Sequence, residues 1–190
     1  MYDYNLTTVG ASEEAARTDT LRRVFARRGF RPTDDLAEIA SAFALGESAL
    51  GGRLASAETA LACEQKTRRC FFVRSGEDGE IDGFIALLYL NAEGFTALMY
   101  GRFTPADPDL AHLTGPDDPA AAIYVWCLAG SSAPAQRAVV RAVTEARRKA
   151  FPHLALFARP VSREGRMMTA ALDAPGAGQA FLGWVPAPTG

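Results

Sequence analysis

Apolar residues recur at helical spacing through the first third of the chain, where capping signals mark three segments. Residues 12–29 begin with Ser12, carry acids in the first turn and arginines in the last, and close on Gly29, a pattern matched to the helix dipole. Residues 33–46, ending at Gly46, and residues 56–67 also start on capping residues. We therefore expect residues 1–68 to be mainly helical, apart from a short strand over residues 6–9.

From residue 69 onward the pattern changes to short apolar runs typical of strands. Residues 70–74 and 80–90 flank a loop of glycine and acidic residues, which predicts a hairpin, and residues 95–103 are expected to form a further strand. Residues 120–128 are apolar throughout, which favours a strand covered on both faces. We expect 70–74, 80–90 and 120–128 to be consecutive neighbours in a mostly antiparallel sheet.

The last third of the chain alternates helix and strand signals. Residues 134–151 are strongly amphipathic and predict a long helix with its arginines largely outward. A strand over residues 153–158 is expected beside strand 120–128. The remaining predicted elements are a short helix over 162–172, a turn over 173–178 and a strand over 180–185.

Composition and charge narrow the class of protein. The 190 residues, 48% hydrophobic and 22% charged with a net charge of -2, fit one α/β domain without an internal linker. The longest apolar run, residues 120–130, is shorter than the roughly 20 residues that a membrane-spanning helix needs. The start of the chain shows no secretory leader, so we expect a cytoplasmic protein. A slightly acidic charge disfavours a nucleic-acid partner.

The cysteines and histidines do not form a metal-ligand pattern. Cys63, Cys70 and Cys127 are odd in number and lack CxxC spacing, which is typical of reduced buried thiols rather than of disulfides or a zinc site. His112 and His153 are isolated from each other and from paired carboxylates. We expect no metal cofactor.

Two local motifs and the order of elements suggest a family. Tyr124-Val125-Trp126-Cys127-Leu128 leads into the long helix, and Phe181-Leu182-Gly183-Trp184-Val185 forms the last strand. With the preceding hairpin and the short penultimate helix, this order resembles the GNAT superfamily of N-acetyltransferases over residues 69–185. The resemblance implies a single GNAT-like α/β domain over residues 1–190, with a mixed, mostly antiparallel central sheet flanked by helices and a helical N-terminal third.

The resemblance also implies a site for acetyl-CoA or another acyl-CoA as cosubstrate. In that family the strand before the long helix splays from its neighbour and pairs with the pantetheine arm, while the helix N-terminus holds the pyrophosphate. By position, Cys127 and Leu128 would face the pantetheine, and Arg137 would add a charge-assisted bond. The phosphate cradle would consist of Gly130, Ser131, Ser132, Ala133, Ala135 and Gln136. Pro134 removes a donor from this loop, where the family has a glycine.

Acid and base candidates follow from the same comparison. The tyrosine that many family members carry near the start of the short final helix is missing here, which leaves Cys127, Ser162 and the loop serines as candidates to protonate the leaving thiolate. Glu80, with Asp82 and Glu164 as alternatives, is a candidate base for the amine. Tyr124 and Trp126 share one face of their strand, where they either line an acceptor pocket or pack in the core.

The resemblance implies an acyltransferase that moves an acyl group from acyl-CoA to an amine, small-molecule or protein, by direct attack in a ternary complex. Two alternatives stay open: a noncatalytic GNAT-like binding module that has lost CoA binding, and an enzyme that uses a longer acyl chain or a carrier-protein thioester.

Residues 104–119 contain four prolines and predict a long surface loop, either a lid over the acceptor or an insertion without a role. The oligomeric state stays open, with a homodimer among the alternatives.

Overall fold

The strands form one mixed sheet in chain order. The computed structural model describes residues 11–52, 54–160, 165 and 182–184. The strands are β1 (Phe30–Pro32), β2 (Phe71–Ser75), β3 (Ile81–Leu90), β4 (Ala122–Gly130), β5 (Ala155–Ala158) and β6 (Leu182–Trp184), and the sheet order is β1-β2-β3-β4-β5-β6. The first three neighbouring pairs are antiparallel, and the pairs β4–β5 and β5–β6 are parallel.

The helices begin at side chains that satisfy free backbone N–H groups. They are α1 (Ala11–Ala26), α2 (Leu36–Leu50), α3 (Ala57–Thr67), α4 (Ala92–Met99) and α5 (Ala133–Lys149), with a 3-10 turn at Leu110–His112. Asp35, Ser56, Asn91 and Ser132 cap α2, α3, α4 and α5 in turn, each accepting from backbone N–H groups of the first turn. The parallel strands β4 and β5 are joined through α5, as a parallel connection requires.

Helices cover both faces of the sheet, which agrees with the apolar character of β3 and β4. Ile85, Leu87 and Tyr89 of β3 pack with α1 and α5 on one face. On the other face, Phe84 and Ala86 pack with α2 and α3, and the end of β3 packs with α4 and with Leu113, which follows the 3-10 turn. The α/β class and the predicted strand neighbours, including β5 beside β4, are confirmed.

The predicted strand over residues 95–103 is wrong, because α4 occupies this stretch. The Asn91 side chain accepts the N–H of Gly94 at 2.9 Å and caps the start of this helix. Ala97 and Leu98 then face the core. Gly94 is required at the contact with the 3-10 turn, since a Cβ there would lie 2.2 Å from the carbonyl oxygen of His112.

The end of α2 also differs from the prediction. Gly46 lies inside the helix, where an added Cβ would come within 2.9 Å of Leu54 and Phe84 side-chain atoms. The helix ends instead at Gly51, whose φ of 68° is a left-handed C-cap. The prediction that α2 ends at Gly46 is therefore wrong, because this glycine is needed for close packing inside the helix.

Several sequence predictions fall on residues outside the described ranges. These are the strand over 6–9, the turn over 173–178 and all of helix 162–172 except Gly165, which is helical. Strand β6 confirms the core of the predicted strand 180–185. Among the described helices, none has the length and apolar character to cross a membrane.

Candidate functional site

Strand β4 continues beyond its pairing with β5. Residues Ala122–Val125 pair with Ala155–Ala158, whereas β4 itself runs to Gly130 and remains paired with β3 over this extension. On the β5 side, residues 126–130 have no strand partner among the described residues. An unpaired strand edge of this kind presents backbone N–H and C=O groups that an extended ligand can pair with.

A β-bulge at Trp126 marks the point where β4 leaves β5. The register with β3 moves from Val125 opposite Leu87 to Cys127 opposite Ala86, so Trp126 is the extra residue. The bulge lets both Trp126 and Cys127 pack towards α2. Leu128, in contrast, packs towards α1 and α5 on the opposite face.

Cys127 and Tyr124 lie in the core rather than at a surface. Cys127 is 5% exposed, and burial raises the pKa of its thiol to about 12. The thiol therefore keeps its proton at neutral pH, which makes it neither a nucleophile nor a strong acid there. Tyr124 is 4% exposed, its ring lies 5.5 Å from that of Phe103, and burial raises its pKa as well.

Trp126 is half-buried and held on two sides. Its ring meets that of Phe43 edge-on, with 5.8 Å between centroids. Its indole N–H donates to the carbonyl of Pro105 at 2.8 Å. Loop 104–119 thus covers the face of β4 that carries Tyr124 and Trp126.

The start of α5 offers few free donors. The Ser131 N–H donates to the Asp82 carbonyl at 2.8 Å, the Ala135 N–H to Ser132 Oγ at 3.3 Å, and the Gln136 N–H to the Ser132 carbonyl at 2.8 Å. Pro134 has no N–H. Within the described part of the chain, the N–H groups of Ser132 and Ala133 remain available for a ligand.

Gly130 brings the end of β4 into contact with the first turn of α5. A Cβ at Gly130 would lie 2.6 Å from the Gln136 nitrogen and 2.8 Å from the Ala135 carbonyl carbon. The Gln136 side-chain amide also donates to the Gly130 carbonyl at 3.2 Å. The unpaired edge of β4 and the exposed residues at the start of α5, including Ala133 and Arg137, are therefore held together.

The remaining acid and base candidates lie apart from this arrangement or outside the described residues. Glu80 is exposed in the β2–β3 hairpin, where its backbone N–H donates to Asp78 Oδ1. Asp82 is closer to α5 and pairs with Arg74 at 3.1 Å; burial raises its pKa, Asp78 adds to the rise and Arg74 opposes it. Ser162 and Glu164 lie outside the described ranges.

A second polar region, centred on Arg69, was not predicted from the sequence. Arg69 is 2% exposed and pairs with Glu14 of α1, also 2% exposed. It also donates to Thr114 Oγ1 at 3.1 Å and to the Asp118 carbonyl at 3.0 Å, which anchors the far end of loop 104–119. No local signal distinguishes Arg69 from the many arginines on the surface.

An open cavity of about 470 Å³ lies at the other end of β4 from α5. It is lined by Ala92, Glu93, Thr96, Ala97, Arg102 and His112. Over the described ranges, no cluster of three or more histidines, cysteines or acids is arranged to hold a metal ion.

The comparisons with known proteins identify no relative. No family model, no curated protein and no solved structure matches the chain.

Proposed function

We propose that the chain is a GNAT-like acyltransferase that transfers an acyl group from acyl-CoA to an amine. The observation that carries the proposal is the course of β4: it passes the end of β5, keeps an unpaired edge over residues 126–130, and meets the N-terminus of α5 at Gly130. The parallel β4–β5 pair joined through α5, with helices on both faces of a mixed sheet, supports the GNAT-like fold.

The edge of β4 and the start of α5 have complementary roles in this proposal. The amide groups of a pantetheine arm would pair with the backbone of residues 126–130, as an added strand pairs with a sheet edge. The N–H groups of Ser132 and Ala133 would donate to phosphate oxygens, where the helix dipole favours negative charge. Arg137, exposed on the first turn, would supply a positive charge.

The reaction itself needs two proton transfers around one displacement. The amine nitrogen attacks the thioester carbonyl carbon, the C–N bond forms and the C–S bond breaks. The amine loses a proton to a base, and the thiolate that leaves takes one up. Cys127 is a candidate donor by its place on β4, while its raised pKa makes it a weak acid. Glu80 as the base and Ser162 as a donor stay predictions from the resemblance.

A noncatalytic binding module is the second candidate, and one observation favours it. The Ser132 cap and Pro134 leave the first turn of α5 with fewer free N–H groups than a glycine-rich loop would offer. A donor with one phosphodiester, as on a carrier protein, would need fewer of them. Binding of CoA would indicate the CoA-dependent enzyme, and binding of acyl phosphopantetheine alone would indicate an enzyme that uses a carrier-protein thioester. Binding of neither would indicate the noncatalytic module.

Calorimetric titration with acetyl-CoA tests the site, using a charge change at the helix cap. Ser132→Asp keeps a good N-cap and places a carboxylate where the phosphates would bind. Ser56→Asp makes the same change at the cap of α3, on the opposite face of the sheet. We expect Ser132→Asp to weaken binding at least tenfold and Ser56→Asp to leave it unchanged. Equal affinity of wild type and Ser132→Asp would overturn the phosphate site.

A further inference from the structure

The Arg69 cluster consists of buried polar residues from distant parts of the described chain: Glu14, Thr18, Arg69 and Thr114. Both terminal nitrogens of the guanidinium are used: one contacts Glu14 and Thr18, the other Thr114 and the Asp118 carbonyl. The guanidinium carbon also lies 4.3 Å from the centre of the Tyr89 ring. Arg69, two residues before β2, thus joins α1, strand β3 and loop 104–119.

Three polar atoms of the cluster have no partner within the described residues. They are Arg69 Nε, Tyr89 Oη and Glu14 Oε2. The three residues are each 2% exposed, so bulk water does not satisfy these atoms. Glu14 Oε2 lies 3.8 Å from Arg17 Nη1, beyond hydrogen-bond distance. Buried polar groups in folded proteins are nearly always hydrogen-bonded, to protein or to ordered water.

The three atoms belong to residues that line one small cavity. The cavity has a volume of about 10 Å³, and Thr18, Leu21 and Phe151 also contribute to its wall. This volume suits one water-sized molecule and is too small for a metabolite.

The chemistry of the three atoms selects the occupant. Arg69 Nε–H is a donor only, and Glu14 Oε2 is an acceptor when ionised, so the occupant must both accept and donate. A halide cannot donate and would be repelled by the Glu14 carboxylate. A metal cation cannot accept and would be repelled by Arg69.

We propose that the Arg69 cluster is an internal hydration site that holds one water molecule. The water accepts from Arg69 Nε–H and Tyr89 Oη–H and donates to Glu14 Oε2. Three such bonds are the usual number for a buried water. With this water, all three nitrogens of the guanidinium are hydrogen-bonded, so Arg69 is fixed while it holds Thr114 and Asp118 of loop 104–119.

A crystal structure of the wild-type chain, grown with bromide as the only halide, tests the site directly. We expect a density peak without anomalous signal within about 3.2 Å of all three atoms. An anomalous peak at this position would show a halide, and an empty cavity in well-ordered density would show no occupant. Either result would overturn the proposal.

A measurement in solution adds a variant to the test. In wild type, nuclear Overhauser spectra in water should show a cross-peak between the Arg69 Nε–H proton and a long-lived water. Tyr89→Phe removes one ligand of the water and keeps the ring, so this cross-peak should fall at least twofold. Tyr124→Phe, whose hydroxyl is outside the cavity lining, should leave it unchanged. An unchanged cross-peak in Tyr89→Phe would exclude the three-ligand site.

Discussion

The indole N–H of Trp126 donates a 2.8 Å hydrogen bond to the carbonyl of Pro105 and ties the middle of β4 to the start of loop 104–119. Arg69 holds the other end of this loop through Thr114 and Asp118. The loop is thus fastened at both ends over Tyr124 and Trp126, and a lid that opens for an acceptor would have to break the Trp126 contact.

Trp126→Phe tests whether the hydrogen bond from Trp126 to Pro105 restrains the loop. The phenyl ring retains packing against Phe43 but has no N–H, so the variant should lose about 1 kcal/mol of stability. Amide hydrogen exchange should accelerate at Asp107, whose N–H donates to the Thr104 carbonyl, and stay unchanged at Thr114, whose N–H donates to the Tyr89 carbonyl. Unchanged exchange at Asp107 would show that the Trp126–Pro105 bond does not restrain the loop.

Gly130→Ala tests the contact between β4 and α5. The added methyl would lie 2.6 Å from the Gln136 nitrogen, so the variant should lose roughly 1–3 kcal/mol in urea unfolding. Gly52→Ala is the matched control, because no atom lies within 4 Å of its added Cβ. Equal stability of the two variants would mean that the strand and the helix can move apart at Gly130.

We expect the titration of Glu64 to lower the free energy of unfolding as the pH rises. Its carboxylate accepts the N–H groups of Cys70 and Phe71, yet burial raises its pKa from 4.5 to about 7. The folded chain therefore binds this proton more tightly than the unfolded chain, and the stability it contributes is lost between about pH 4.5 and pH 7. The shift corresponds to about 3 kcal/mol.

Denaturation of Glu64→Gln across this pH range provides the measurement. The stability of wild type relative to Glu64→Gln should decrease from pH 4.5 to pH 7. The difference between wild type and Glu145→Gln should stay nearly constant over this range, because hydrogen bonds from Lys149 and Arg28 lower the pKa of Glu145 and its contribution is lost only below pH 4.5. A pH-independent difference between wild type and Glu64→Gln would contradict the raised pKa.

Arg69→Met should be among the most destabilising changes on the chain. It leaves the Glu14 carboxylate buried without its partner, at a cost of about 3–5 kcal/mol. The double variant with Glu14→Gln should lose less unfolding free energy than the sum of the two single changes.

Arg27→Met is the control. It removes an ion pair in which the arginine is 58% exposed and should change stability by less than about 1 kcal/mol. Similar losses in Arg69→Met and Arg27→Met would show that burial of the Arg69 pair has little energetic effect.

Local patterns predicted much of the fold, because most elements carry their own signals. The capping region at Ser56, the apolar run of residues 120–128 and the amphipathic pattern of residues 134–151 each predicted the element that the structure has there. The prediction failed where a residue type has two uses. Asn91 caps a helix as readily as it forms a turn, and Gly46 is needed for packing against Phe84.

The site was less predictable because tertiary contacts determine it. The candidate residues at the β4–α5 junction came from the family resemblance and stay a prediction. The bulge at Trp126 and its bond to Pro105 depend on neighbours distant in the chain, as does the burial of Arg69 against Glu14. None of these three features leaves a local pattern in the sequence.

Mapping backbone amide shifts during titration with CoA tests the central claim most directly, because it locates the ligand without requiring turnover. The account predicts saturable shifts concentrated in residues 126–133, with amides of β1 and α3 unchanged. Shifts confined to the cavity lined by Glu93, Arg102 and His112, or no shifts at residues 126–133 at millimolar CoA, would contradict it.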